Sequence, residues 1–171
     1  MLRMLVAITD NEPGVLDRVA SVFRRRGFNI HSLTVSPTLN PAVSRLTLVT
    51  DLDDHAAKRA HSFLERLVNI HSVSDLTDAS PLLRDTVLLR VAAAQVNRPQ
   101  LFQIANLFQA EILDVGADTM VMACSGSPDR IEALTESLRP FGLLEMGRTG
   151  AVAMERSAAR TSVSLDSAVS F

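Results

Sequence analysis

The sequence predicts an α+β protein built from two βαββαβ units, each a small sheet covered by helices. Three observations carry that expectation. Aliphatic and β-branched runs at 3–9, 43–50, 86–94 and 119–124 have the length and composition of strands. Between them lie segments with apolar residues at helical spacing, bounded by Gly, Pro, Asn and Asp. The same order of elements then recurs after a polar, proline-marked joint at 78–81, although the residues themselves barely repeat.

In the first unit, residues 3–9 form a strand that turn formers at 10–14 interrupt. The helix that follows carries Val15, Leu16, Val19, Ala20 and Phe23 on one stripe, with Asp17, Arg18, Arg24 and Arg25 mostly elsewhere. One face of it therefore covers a sheet. Gly27 suits the C′ position, where a left-handed backbone costs glycine little. Residues 28–36 alternate, with Ile30, Ser32 and Thr34 to one side and His31, Leu33 and Val35 to the other. A turn at 37–41 leads into the strand at 43–50. Residues 51–54 open a second helix that aligns Ala57, Ala60, Leu64, Leu67 and Val68, and 70–76 supplies a fourth strand. This order is the split βαβ, or ferredoxin-like, plan.

The second unit repeats it. A strand at 86–94 precedes a helix with Leu101, Ile104, Ala105 and Phe108 on one face. Residues 112–115 and 119–124 make a hairpin about Gly116, Ala117 and Asp118. Ser127, Pro128 and Asp129 are cap and first-turn residues for a helix carrying Ile131, Leu134 and Leu138. Pro140 ends that helix, and 143–149 is the last strand. The domains are expected at 1–77 and 82–154. The serine- and alanine-rich stretch 155–171 is expected to be a disordered tail or an arm that orders on a partner.

Composition narrows the function. With 17 Lys and Arg against 19 Asp and Glu, the formal charge is −2, which gives no electrostatic footprint for nucleic acid or an anionic membrane. The run Arg24, Arg25, Arg26 ends a helix, where positive charge opposes the dipole. The single cysteine, Cys124, sits in an apolar strand and fits a reducing compartment. No apolar run reaches membrane length, so a soluble, cytoplasmic protein is expected. His55, His61 and His71 lack metal-ligand spacing, and Ser125, Gly126 and Ser127 lack the flanks of a nucleophile elbow. No motif supports independent catalysis.

The most informative stretch is 10–30. Its loop precedes a helix start, where unpaired N–H groups and the dipole attract an anion such as a carboxylate. Gly14 has no side chain to block that approach, and Asn11 offers an amide hydrogen and a carbonyl oxygen together. At the mouth of the second strand, the Asn29 side chain or the Ile30 carbonyl suits an ammonium group. Leu16, Ile30, Leu33 and Val35 are expected to offer an aliphatic pocket. Together these fit a small zwitterion, and the reading is an amino-acid sensor. The same residues also make ordinary strand-to-helix and helix-exit turns with no ligand at all. An exposed sheet edge invites pairing between two subunits, which would bring one subunit's loop to the other's second strand.

The chain resembles the regulatory (small) subunit of acetohydroxyacid synthase, also called acetolactate synthase. The segments that carry the resemblance are D-N-E-P-G-V-L-D-R-V at 10–19, F-R-R-R-G-F-N-I-H-S-L-T-V at 23–35 and S-R-L-T at 44–47. In the second half they are F-Q-A-E-I-L-D-V at 108–115, R-P-F-G-L-L-E at 139–145 and R-T-G at 148–150. The resemblance implies an N-terminal ACT domain, which binds amino acids, and a second ferredoxin-like domain. It implies a non-catalytic chain that binds and activates the catalytic (large) subunit and confers feedback inhibition by valine in branched-chain amino-acid biosynthesis. Thiamine diphosphate, Mg2+ and FAD then belong to that partner and none to this chain. The resemblance implies valine between the ACT domains of a homodimer. There it touches Asn11, Glu12, Pro13, Gly14, Val15 and Leu16 of one subunit, with Asn29 and Ile30 of the other. A free-standing ACT-type sensor acting on some other partner is the alternative. His31 stands where an acidic residue is common, and Arg84–Asp85 where Arg–Glu is usual.

Overall fold

The computed structural model describes residues 1–157; the remainder of the predicted tail, 158–171, lies outside the described residues. β1 (Leu2–Asp10), α1 (Val15–Arg26), β2 (Ile30–Pro37), β3 (Val43–Asp51), α2 (Asp54–Glu65) and β4 (Ile70–Asp75) build a first sheet in the order β2-β3-β1-β4. β5 (Leu82–Ala92), α3 (Arg98–Leu107), β6 (Glu111–Val115), β7 (Thr119–Gly126), α4 (Pro128–Leu138) and β8 (Leu143–Arg148) build a second in the order β6-β7-β5-β8. All these neighbours are antiparallel. The α+β class and the doubled ferredoxin-like plan are as the sequence predicts.

Period-two burial builds each core. Leu5 and Ala7 of β1 share one face with Leu46 and Leu48 of β3, and these pack under Val19, Phe23, Ala60 and Leu64 of the two helices. In the second unit Val87, Leu89, Met120 and Met122 meet Leu101, Ile131, Leu134 and Leu138. Cys124 belongs to this core and is buried.

The helix ends follow from local chemistry. Gly27 caps α1 at φ 67°, its N–H reaching the Arg24 and Phe23 carbonyls, with Arg24, Arg25 and Arg26 in the last turn. The Arg26 guanidinium lies 4.0 Å from the centre of the Phe63 ring. Asp53 caps α2 by accepting from the Ala56 N–H at 2.7 Å, and that bond holds its carboxyl below the ordinary range. Ser127 caps α4 ahead of Pro128.

Four expectations need correction. The buried stripe of α1 is Val15, Val19, Val22 and Phe23; Leu16 and Ala20 are exposed, because they lie one position off the inward row. α2 stops at Glu65, so Val68 stands in a turn at 93 % exposure and does not line the helix, while Leu67 packs against the core from the same turn. A β-bulge between Ile30 and Ser32 makes His31 an extra residue. It turns Ile30 onto the same face as Leu33, and both pack on the first core instead of facing opposite sides. Finally, β5 begins at Leu82, because a short strand absent from the sequence reading, β9 (Val152–Met154), pairs with residues Leu82, Leu83 and Arg84.

These strands join the two units. The outer face of β1 presents Met4 and Val6, which pack with Leu76, Leu83 and fully buried Ala153. The Arg45 guanidinium of β3 donates to the Ala153 carbonyl at 2.6 Å. The second unit thus covers part of the face that α1 and α2 leave open. Leu48→Ala is expected to lower unfolding free energy by about 2–5 kcal/mol in denaturant titration. Val68→Ala should stay within about 0.5 kcal/mol of the parent.

Candidate functional site

β1 ends at Asp10, and the loop 11–14 turns the chain into α1. Asn11 is fixed twice to the β2–β3 turn: its backbone N–H donates to the Ala42 carbonyl and its side-chain amide to the Pro41 carbonyl, both at 2.8 Å. One of its two amide hydrogens is thereby engaged, and the other remains to donate and the side-chain oxygen to accept. Gly14 is the N-cap of α1 at φ 86°, ψ −8°, a left-handed conformation that L side chains rarely adopt. No side chain caps this helix. Among the described residues the N–H groups of Gly14, Leu16 and Asp17 have no acceptor, while Val15 reaches the Glu12 carbonyl only at 3.5 Å. Asn11, Glu12, Pro13, Gly14 and Leu16 are all exposed, and Val15 is buried in the core beneath them. A helix start with open N–H groups and no side chain in the way has the chemistry to receive a small carboxylate.

The residue that holds the loop is Asn69, which sequence reasoning passed over. It is 8 % exposed and sits one residue before β4. Its backbone carbonyl accepts from the Asp10 N–H at 2.9 Å and from the Thr9 hydroxyl at 2.6 Å. Its side-chain amide donates to the carboxylates of Asp10, at 3.0 Å, and Glu12, at 3.5 Å, while its oxygen accepts from Arg18. His71, which has no metal-ligand spacing in the sequence, lies 2.8 Å from the Asp10 carboxylate. The signal was present only as a polar residue at an apolar strand's entry, which turns supply routinely.

Asn29 and Ile30 are elsewhere. Ile30 pairs with Thr50, which pairs with Arg3, whereas Asp10 pairs with Val43. Seven residues of β1 separate those rungs, roughly 23 Å at the usual strand rise. The Asn29 carbonyl already accepts from the Thr50 hydroxyl, leaving its exposed side chain and the Ile30 carbonyl as the acceptors of interest. Within one chain the loop and the strand mouth are therefore not brought together. Nor do Leu16, Ile30, Leu33 and Val35 form one pocket: Leu33 and Val35 pair with Leu48 and Leu46 along β3, while Leu16 stands exposed on α1. A cleft of about 850 Å³ opens between the two units, lined by His31, Leu33, Leu83, Asp85 and Arg148 among others, and it does not include the loop. Among the described residues no group of three or more His, Cys, Asp or Glu is arranged to hold a metal. No described helix is long and apolar enough to cross a membrane.

A family profile described as an acetohydroxyacid synthase small subunit-like ACT domain matches residues 5–75, and one described as the small subunit of acetolactate synthase matches 84–157. A protein of Archaeoglobus fulgidus named "Probable acetolactate synthase small subunit" is 38 % identical over 156 residues, 91 % of this chain and 98 % of its own. This chain belongs to the acetolactate synthase small-subunit family. The acetolactate synthase small subunit of Mycolicibacterium smegmatis is 34 % identical over 152 residues, covering 89 % of each chain. The crystal structure of the acetolactate synthase small subunit from Thermotoga maritima superposes with a TM-score of 0.85 at 28 % identity, covering 93 % of this chain and 99 % of that one. The ACT profile spans the loop, Asn29 and Asn69 alike.

Asn69→Ala removes three side-chain bonds at a buried position. It is expected to cost about 1–3 kcal/mol of stability, and to speed amide exchange at residues 11–14 more than elsewhere in the first unit, read by hydrogen-exchange mass spectrometry.

Proposed function

We propose that this chain is the regulatory subunit of an acetolactate synthase. It binds and activates the catalytic subunit, carries no cofactor of its own, and makes the enzyme inhibitable by valine, the end product held between two ACT domains. In this reading thiamine diphosphate, Mg2+ and FAD reside in the catalytic partner. The observation that carries it is the pairing of an open helix start at Gly14 with an unpaired edge strand at β2.

Two copies of β2 aligned antiparallel about a twofold axis would satisfy the edge of each. That arrangement sets the mouth of the partner's β2 against the far end of β2, the end where the Asn11 loop lies. The valine carboxylate then meets the N–H groups of Gly14 and Leu16. Its ammonium meets the Asn29 side chain or the Ile30 carbonyl of the neighbouring subunit. Exposed Leu16 and Val35 supply aliphatic contact for the isopropyl group. Each dimer holds two such sites, and neither is complete in a monomer. Binding by N–H donors and carbonyl acceptors orients a ligand without activating a bond, in keeping with a sensor.

The test measures pyruvate condensation by the catalytic subunit alone, with this chain, and with this chain plus valine. Activation followed by inhibition is expected, and an isolated chain that binds no branched-chain amino acid in calorimetry would count against the site. Gly14→Asp adds a carboxylate where the ligand's own would lie. It should raise the valine concentration for half inhibition about 10–100-fold, the loss of a charge-assisted hydrogen bond, while activation persists. Gly14→Asn, which tolerates the left-handed backbone and adds no charge, should have the smaller effect.

A further inference from the structure

Two segments that carry the family resemblance, S-R-L-T at 44–47 and R-T-G at 148–150, have no part in the ligand loop. The structure seats the second of them against Ser32 and Thr34 of β2, on the outer face of the first sheet, while Arg45 of the first reaches the Ala153 carbonyl nearby. Gly150 is buried at φ 84° and seated on β2: a Cβ there would come within 3.1 Å of both the Ser32 Cβ and the Thr34 hydroxyl oxygen. The Thr34 hydroxyl donates to the Thr149 carbonyl at 3.2 Å. Thr149 in turn is locked into the second unit. Its N–H donates to the Thr86 carbonyl at 3.0 Å, and its hydroxyl donates to the Asp85 carboxylate at 3.1 Å and accepts from the Thr86 N–H at 3.1 Å. Asp85 is 3 % exposed and pairs with Arg148, whose guanidinium lies 3.8 Å from Glu132 of α4.

β2 therefore has two neighbours at once. Its mouth, Asn29 and Ile30, is half of the proposed effector site, and its middle, Ser32 and Thr34, is the seat of the second unit. Only the bulge at His31 separates them. A glycine seat has no flexible side chain to absorb a small shift of the strand. It either fits against Ser32 and Thr34 or lifts off, which gives the junction two arrangements instead of a continuum.

We propose that the seat of Thr149 and Gly150 on Ser32 and Thr34 couples valine occupancy to the second unit, so that Thr34 and Gly150 transmit inhibition without touching the ligand. This rests on the effector reading above. By linkage, a ligand shifts only an equilibrium whose two states it distinguishes, and the states here differ in whether β2 and the 148–150 segment are engaged.

The test uses the full chain reconstituted with its catalytic subunit, comparing wild type with Thr34→Val, Thr34→Ser and Gly150→Ala. Valine affinity of the free chain is read by calorimetry, activation by the rate without valine, and coupling by residual activity at saturating valine. Thr34→Val, nearly isosteric at a half-buried position, should bind valine within about twofold of wild type and activate normally. Its residual activity at saturating valine should rise at least about fivefold, the lower end of ordinary allosteric coupling. Thr34→Ser, which keeps the hydroxyl, should restore inhibition, and Gly150→Ala should abolish it while leaving valine binding in place. Full inhibition of Thr34→Val at unchanged affinity overturns the coupling and leaves the effector site standing. Loss of valine binding in Thr34→Val also overturns it, by assigning Thr34 to the ligand site. A wild-type chain that binds no valine removes the effector reading itself, a result distinguishable from either.

Discussion

The direction of two strands governs what this molecule can do. β1 and β2 are each antiparallel to β3, so they run the same way, and the chain must travel the length of the sheet to pass from one to the other. α1 makes that passage in 12 residues, about 18 Å of helix rise, against a sheet of similar length. Whatever lies at the start of α1 is therefore at the opposite end from whatever lies at the mouth of β2. A ligand that needs both groups cannot be held by one chain. The same crossover leaves β2 at the sheet edge, the one position from which a second copy can return the missing half.

The outer face of the first sheet limits the choices further. It is not free surface: Ala153 is fully buried against Val6, Arg45 holds the Ala153 carbonyl, and Gly150 fills the groove beside Ser32 and Thr34. α1 and α2 occupy the other face. Among the described residues the sheet keeps two edges, β2 and β4, and of these β2 is the one that would bring a neighbour's strand mouth to the Gly14 loop in the proposed twofold pairing. The second unit is joined to the first through β9 and the 148–150 segment, which leaves the hydrogen-bonding edge of β2 uncovered among the described residues.

Much of this was legible in the residues. Gly27 and Ser127 mark helix boundaries because left-handed backbone and side-chain capping are local properties, readable within four positions. The order of elements followed from apolar period. The bulge at His31 was not legible, since an extra residue in one strand is defined only against its partner, and it reversed the side assigned to Ile30. Nor was β9: three residues carry too little pattern, and its pairing with β5 spans some seventy positions. Leu16 looked like core because helical stripes are broad, and only the packing of Val15 and Val19 shows which edge faces inward. Asn69 escaped because its four partners come from β1, the loop and α1, a convergence no linear spacing encodes.

Asn69 also bears on what kind of ligand suits the loop. A bare anion would meet the helix start, yet three carboxylates, Asp10, Glu12 and Asp17, stand around it. Asn69 draws two of them, Asp10 and Glu12, onto its amide hydrogens and draws the Arg18 guanidinium onto its oxygen, which sets one cation beside two anions. The side chains of the loop thus carry more negative than positive charge, with open N–H donors on its rim. A phosphate or a dicarboxylate would find too little cation here to repay its desolvation. A neutral zwitterion brings one negative and one positive group together, satisfies the N–H donors with the first, and needs only carbonyl acceptors, such as those at the mouth of a neighbouring β2, for the second. In the proposed reading, that acidic surround favours an amino acid over a bare anion.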